Sequence, residues 1–250
     1  MSRVTHAVLG APIDVVSIEG AAERILAWAK AHESRYVTIC NAHVVVTARQ
    51  DKSYLDVIAA SDMATPDGAP VAWVLRKSGY GSQRRVCGPD LMWLLCSLCG
   101  EQEVSIYGYG STDETLGKLS ERLALAFPSL KVAGLESPPF RPLSEAEDEA
   151  AVARINESGA GIVFVGLGCP KQERWMANHK GKVNAVMIGV GAAFDFHAGT
   201  VHRAPQWMQR TGLEWLHRLC SEPRRLWKRY LVTNTLFVIG ALSQLLKLRA

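Results

Sequence analysis

Short apolar, β-branched runs alternate along the chain with longer stretches in which apolar residues recur at helical spacing. Tyr36-Val37-Thr38-Ile39-Cys40, Val104-Ser105-Ile106-Tyr107, Val132-Ala133-Gly134-Leu135, Ile162-Val163-Phe164-Val165 and Ala185-Val186-Met187-Ile188 each read as a strand. Between them, Ala21, Ala22, Ile25, Leu26 and Trp28 mark one face of a helix that Ser17 can cap. Further helices are predicted from Ala42, around 51–60, over 112–127, and from the capping box Ser144-Glu145-Ala146-Glu147 to Asn156. The short run Asp62-Met63-Ala64 leads into Thr65-Pro66-Asp67-Gly68, which reads as a turn. Strands alternating with helices, with no internal repeat, predict an α/β fold with a Rossmann-like, largely parallel sheet flanked by helices.

Three of the predicted strands end in Gly-x-Gly: Gly108 with Gly110, Gly166 with Gly168, and Gly189 with Gly191. In open α/β sheets ligands bind beyond the carboxyl ends of the strands, where glycine admits a phosphate and helix N-termini supply N–H donors. One such pair is ordinary turn chemistry; three on successive strands point to a nucleotide or another phosphorylated ligand along one sheet edge. Gly168-Cys169-Pro170-Lys171-Gln172-Glu173 adds a proline suited to a first helical turn, which puts Lys171 at a helix N-terminus. A lysine there opposes the helix dipole, so its position asks for an anion.

The last fifty residues follow a different pattern. Residues 201–250 hold nine Lys/Arg against two Asp/Glu, whereas residues 1–200 hold nineteen against twenty-two. The boundary separates a mildly acidic α/β core (1–200) from a basic, apolar, helical tail (201–250), which suits an anionic partner. Tyr230 to Leu246 is uncharged over seventeen residues, short of the roughly twenty that a spanning helix needs. On a helix, Thr233, Gly240, Gln244 and Lys247 form a narrow polar stripe, so lying at a membrane interface fits better than crossing, and a buried terminal helix is the alternative. Upstream, arginine is interleaved with Trp207, Trp215 and Trp227, the composition of a headgroup interface. Nucleic acid is disfavoured by the acidic core. The N-terminal Met1-Ser2-Arg3-Val4-Thr5-His6 has no apolar signal-peptide region.

The six cysteines lie in apolar or glycine-rich settings, and only Cys96 and Cys99 have redox or metal spacing. They sit in an apolar run with no second pair, so buried structural thiols are expected, in keeping with a cytoplasmic compartment. No Asp-x-Asp occurs, and Asp195 with His197 offers too few ligands for a metal site. Asp67 is a carboxylate at a strand-to-loop edge, where it can serve as a general base. Arg84-Arg85 precede a predicted helix start, where a guanidinium can bind diphosphate or simply remain solvated.

Taken in order, Asn41, Pro66-Asp67-Gly68, Arg85 with Gly88 and Asp90, the 168–173 hexamer, Gly189-Val190-Gly191 with Phe194-Asp195, Arg203-Ala204-Pro205, Glu214-Trp215, Arg218 and Glu222-Pro223-Arg224-Arg225 resemble the WecG/TagA/CpsF glycosyltransferases (glycosyltransferase family 26). The resemblance covers nearly the whole chain. It implies an inverting transfer, without a metal or other cofactor, of a sugar from a UDP-sugar to a polyprenyl-diphosphate-linked saccharide. The setting it implies is cell-surface polysaccharide synthesis, by a peripheral protein on the cytoplasmic face of the inner membrane. By position it implies Asp67 as catalytic base, with Asn41 holding the reacting sugar. Arg85 would contact diphosphate or acceptor, and Gln172 donor or acceptor. Many members read Thr-x-Asn where this chain has Thr38-Ile39-Cys40-Asn41, and Thr38 joins Asn41 in the implied substrate-binding set. The tail resembles an appendage that docks on the membrane and brings Arg218, Arg225 and Arg229 over the active site. A homo-oligomer is compatible with the sequence. Two other classes remain open: a nicotinamide-dependent oxidoreductase, against which Asp113 stands where a dinucleotide fingerprint needs its third glycine, and a non-enzymatic membrane adaptor.

Overall fold

The computed structural model describes residues 3–247, apart from the side chain of Arg225. In chain order, a hairpin of β1 (Thr5–Val8) and β2 (Ala11–Asp14) precedes α1 (Ile18–Lys30), β3 (Arg35–Cys40), α2 (Ala42–Gln50) and α3 (Lys52–Ala59). Next come β4 (Met63–Pro66), α4 (Gly68–Lys77), α5 (Gly88–Glu101), β5 (Ile106–Gly110), α6 (Asp113–Ala126) and β6 (Val132–Glu136). Then follow α7 (Glu145–Glu157), β7 (Ile162–Gly166), α8 (Lys171–His179), β8 (Val186–Gly189) and α9 (Ala193–Ala198). The C-terminal part is helical: α10 (Gln206–Thr211), α11 (Glu214–Ser221) and α12 (Pro223–Lys247).

The main sheet has the strand order β4-β3-β8-β7-β5-β6, and β3–β8, β8–β7, β7–β5 and β5–β6 all pair in parallel. This is the expected Rossmann-like α/β arrangement. Ile162 to Val165 and Val186 to Ile188 are essentially inaccessible, because strands covered on both faces are apolar throughout. The order reverses at β5: β6 lies on one side of it, while β7 and β8 follow on the other. Such a reversal opens a crevice at the carboxyl ends of the flanking strands.

Two compact units share the chain. One comprises Met1–Ser17, Ile39–Cys87 and His202–Ala250, and the other Ile18–Thr38 and Gly88–Val201. The first holds the hairpin, α2, α3, β4, α4 and the C-terminal helices. Asp14, fully buried, accepts from Arg3 Nη2 (2.9 Å) and from the Ala64 amide (2.7 Å), which ties the hairpin to β4. The second unit holds α1, α5 to α9 and the strands from β5 onward. In it Cys96 and Cys99 are buried, and burial pushes the Cys99 thiol up to about 12 and Cys96 further, as inert core thiols require.

Two local expectations need correction. The strand predicted from Val104 begins at Ile106, because the Val104 amide still donates to Cys99 O of α5 (3.0 Å). Gly108-Tyr109-Gly110 closes β5, as expected of a Gly-x-Gly strand end. The predicted turn at Thr65-Pro66-Asp67-Gly68 is instead the junction of β4 with α4, and Asp67 occupies the N-cap position. The Ser144–Glu147 capping box forms as expected, with the Ser144 amide donating to Glu147 Oε2 (2.8 Å).

Candidate active site

Backbone pairing fixes the neighbourhood of Asp67. Its amide donates to Cys40 O (3.1 Å), so it stands beside the end of β3, and Asn41 follows immediately. The Val86 amide donates to Pro66 O (2.8 Å), which brings Arg85 alongside. The Asp67 carboxylate makes no cap hydrogen bond to α4 and is half-buried, unlike a typical N-cap aspartate. Asn41, by contrast, does cap: its Oδ1 accepts from the amides of His43 (3.0 Å) and Val44 (3.2 Å). Any contact between Asn41 and a ligand therefore falls to the amide nitrogen.

The C-terminal helices supply the other wall of this unit. Arg85 Nη1 donates to Glu214 Oε2 (2.7 Å) and Nη2 to Gln209 Oε1 (3.2 Å). Arg203 Nε donates to the other oxygen of the same carboxylate (3.3 Å), and its Nη2 lies 3.4 Å from Cys87 Sγ. Burial opposes the Arg85 charge, but the Glu214 hydrogen bond and the fields of Cys87, Glu214 and Asp67 outweigh it, so its pKa is raised. Gly212 makes the approach possible. It ends α10 in the left-handed region (φ +78°), and a Cβ there would stand 2.8 Å from the Ala69 Cβ. The turn carrying Glu214 thus rests on the first turn of α4, two residues beyond Asp67.

Helix α12 turns a mixed face, with Leu226, Phe237 and Ala241 buried beside Thr233, toward its own unit and an apolar face outward. Its polar stripe, Thr233, Gly240 and Gln244, faces its own unit. Gln244 accepts from the Leu9 amide (2.8 Å) and donates to Ala7 O (2.7 Å), satisfying backbone groups of the hairpin. Thr233 Oγ1 lies 3.5 Å from His43 Nδ1, and a Cβ on Gly240 would collide with Arg49 and Leu9. Leu231, Val232, Leu236, Val238, Ile239, Leu242 and Leu246 point outward at 37–67% exposure, as do Trp207, Trp215 and Trp227. The alternative of a buried terminal helix is corrected accordingly: only 22% of its apolar window is buried. The docked face combines the buried Leu226, Phe237 and Ala241 with hydrogen bonds from Gln244 that an apolar side chain would leave open. Arg229 on this helix and burial together, with burial the larger, push the His43 imidazole down to about 4. Arg218 pairs with Glu222 at 3.8 Å, and the side chain of Arg225 lies outside the described residues.

The other unit carries the glycine edges. In β5, β7 and β8 the carboxyl ends lie side by side, with Gly110 opposite Gly166 and Val165 opposite Gly189. The crevice at the strand-order reversal falls between Gly110 and Gly166. Most of these glycines make room for protein. A Cβ at Gly108 would meet Leu135 at 2.6 Å, at Gly110 the backbone of Gly166 at 2.6 Å, at Gly166 the Phe194 ring at 2.7 Å, and at Gly189 Met176 at 2.8 Å. Gly168 has nothing within 4 Å, and Gly191 only Gln172 Oε1 at 3.8 Å, so these two leave open space. Both also have positive φ (+79° and +56°).

Charge separates the helix N-termini beside this edge. The first turn of α6 carries the exposed Asp113 and Glu114, which would repel a phosphate, while α8 opens with the exposed Lys171 and turns its one first-turn acid, Glu173, into the interior. Gln172 is 4% exposed: its Oε1 accepts from the Gly168 amide (3.1 Å) and its Nε2 donates to Glu173 (2.8 Å). It braces the Gly168 loop from behind. Thr38 is wholly buried in β3. His197, two residues from Asp195, stacks on Trp93 (4.5 Å) and bonds Pro89 O (2.9 Å). A cavity of about 200 Å³ beside Glu136 and Arg154 is smaller than the roughly 300–1,000 Å³ of ordinary ligand pockets.

Comparison with known proteins decides the class. The model of the glycosyl transferase WecG/TagA/CpsF family matches residues 6–250. The chain belongs to this family. It is 32% identical over 197 residues to an N-acetylglucosaminyldiphosphoundecaprenol N-acetyl-beta-D-mannosaminyltransferase of Bacillus subtilis (strain 168), covering 78% of this chain and 74% of that one. A protein of the same description from Bacillus spizizenii (strain ATCC 23059 / NRRL B-14472 / W23) is 30% identical over 201 residues, covering 80% and 76%. The protein is accordingly a glycosyltransferase, and neither the oxidoreductase nor the adaptor class describes it.

Within this transferase, Asn41, Asp67 and Arg85 fall in one unit with the C-terminal helices, and the glycine edges, Lys171 and Gln172 in the other. The sequence reading gave no role to His43, Gln209 or Gly212, and quoted Arg203 and Glu214 only as motif residues. Gly212 carried a signal, a glycine closing a short helical pattern, but its partner Ala69 lies 143 positions away and no spacing rule reaches that far.

Proposed function

We propose that this glycosyltransferase moves a sugar of the N-acetylmannosamine type from a UDP-sugar to N-acetylglucosamine on a polyprenyl diphosphate, inverting the anomeric centre without a metal. The observation that carries the reading is Asp67, a half-buried carboxylate not spent on capping its helix and held beside Arg85. The family and the names of the two relatives support the reaction class and the acceptor. In a single displacement, Asp67 takes the proton of the acceptor hydroxyl as its oxygen attacks the anomeric carbon, and UDP leaves with the bonding pair. Charge on the departing diphosphate is met by fixed cations and helix N-termini rather than by Mg²⁺. Lys171, Gly168 and Gly191 are assigned to the nucleotide phosphates, and Gln172 to holding that loop. Asn41, Arg85, Arg218, Arg225 and Arg229 are assigned to substrate, and Thr38 to positioning the end of β3.

The outward apolar face of α12, with the tryptophans and basic residues of the C-terminal helices, is assigned to the membrane that carries the acceptor. Contacts at Thr233, Gly240 and Gln244 hold the helix along its own unit, which favours lying at the interface over crossing it. The cytoplasmic leaflet suits the basic charge. Replacing Asp67 with Asn tests the base. A folded Asp67→Asn enzyme should lose about 10²- to 10⁴-fold in kcat, and full turnover would remove Asp67 from the chemistry.

A further inference from the structure

Two arginines of one unit converge on a single carboxylate. Arg85 holds Glu214 Oε2 at 2.7 Å and Arg203 holds Oε1 at 3.3 Å, so the two guanidiniums stand on either side of one anion. The three side chains are all about four-fifths buried (22%, 22% and 21% exposed). Gln209 fixes the cluster further, bonding Arg85 through Oε1 and Ala204 O through Nε2 (2.7 Å). The carboxylate belongs to the turn that Gly212 seats on Ala69, whereas Arg85 is pinned through Val86 to the end of β4. The anion and one of its cations are therefore carried by segments far apart in sequence.

We infer that Arg203 and Arg85 form a diphosphate-binding pair whose resident occupant, Glu214, is an internal stand-in that the ligand displaces. The inference rests on the reading of Arg85 as a diphosphate contact. It adds Arg203 as a binding residue and Glu214 as the competing group. Two forked guanidiniums facing one carboxylate present the donor geometry that a diphosphate, with more acceptor oxygens and more charge, satisfies better. While Glu214 occupies the pair, the competent state is only a fraction of the population and apparent affinity is reduced by that fraction. Displacement frees the start of α11, so occupancy of the pair is coupled to the position of the C-terminal helices. Either the leaving nucleoside diphosphate or the lipid diphosphate has this chemistry.

Calorimetric titration of the full chain with inorganic pyrophosphate, UDP and farnesyl diphosphate tests the inference, on wild type, Glu214→Gln, Arg203→Gln and Arg203→Lys. Glu214→Gln keeps the shape and removes the competing charge, so it should bind pyrophosphate several-fold more tightly. Arg203→Gln should bind about tenfold more weakly, the size of one lost charge-assisted pair. Arg203→Lys, which retains charge but not the fork, should fall between and serves if Arg203→Gln does not fold. Whichever of UDP and farnesyl diphosphate follows the pyrophosphate pattern is the source. Equal or weaker pyrophosphate binding by folded Glu214→Gln, or unchanged binding by the Arg203 variants, overturns the inference. Wild type without sugar transfer but with the pyrophosphate pattern would sink the transfer reading alone; transfer without the pattern would sink only the pair.

Discussion

Gly212→Ala is the perturbation whose cost the structure specifies most fully. The backbone there is left-handed, which costs a residue with a Cβ about 1–2 kcal/mol. The new methyl would also stand 2.8 Å from the Ala69 Cβ, well inside ordinary contact, and neither atom is the end of a flexible chain. Relief requires moving the α10–α11 turn or the start of α4, a further overpacking cost of about 1–3 kcal/mol. Equilibrium urea denaturation should thus show a loss of about 2–5 kcal/mol. Ala69→Gly isolates the steric part: alone it costs about 0.5–1 kcal/mol as a helical glycine, but in the Gly212→Ala background it removes the collision. The double mutant should be more stable than the sum of the two by about 1–3 kcal/mol, with the left-handed penalty remaining. Additivity within about 0.5 kcal/mol would refute the claim that this turn rests on Ala69.

Three further expectations follow from other contacts. His43 is neutral when folded, with its pKa lowered to about 4 against an ordinary 6.5, so the unfolded chain binds more protons between those values. Its contribution to stability is complete above about pH 6.5 and is lost as pH falls toward 4, about 2 kcal/mol by pH 5; denaturation from pH 8 to 5 should show a shallower acid decline in His43→Gln. Gln172→Leu leaves the half-buried Gly168 amide without its acceptor and should destabilise by about 1 kcal/mol and weaken UDP binding, which titration of UDP checks. Serine at Ile239, Leu242 and Leu246 together should reduce sedimentation with anionic vesicles about tenfold or more while leaving the thermal midpoint nearly unchanged, since these side chains touch solvent.

The α/β layout was legible because buried parallel strands announce themselves as unbroken apolar runs, as in Ile162 to Val165, and because helix starts at Thr112 and Ser144 carry capping side chains. Less legible was what each glycine is for. The sequence presents Gly108, Gly166 and Gly168 alike, yet the first two accommodate Leu135 and Phe194 from distant elements and only the third opens outward. The polar stripe of α12 was visible, but not that it faces the protein, because that depends on unpaired backbone groups at Ala7 and Leu9, over two hundred residues earlier. Asp67 was found through its motif, whereas the Glu214 clasp on Arg85 joins positions 129 apart and had no sequence signal.

The central claim is sugar transfer, and one assay addresses it directly: a panel of UDP-sugars offered to the full chain with a polyprenyl-diphosphate-linked N-acetylglucosamine acceptor, with and without EDTA. The account predicts transfer from a UDP-N-acetylmannosamine-type donor at a rate that EDTA leaves unchanged, with the anomeric configuration inverted in the product. No transfer from any UDP-sugar, or transfer abolished by EDTA and restored by Mg²⁺, would contradict it.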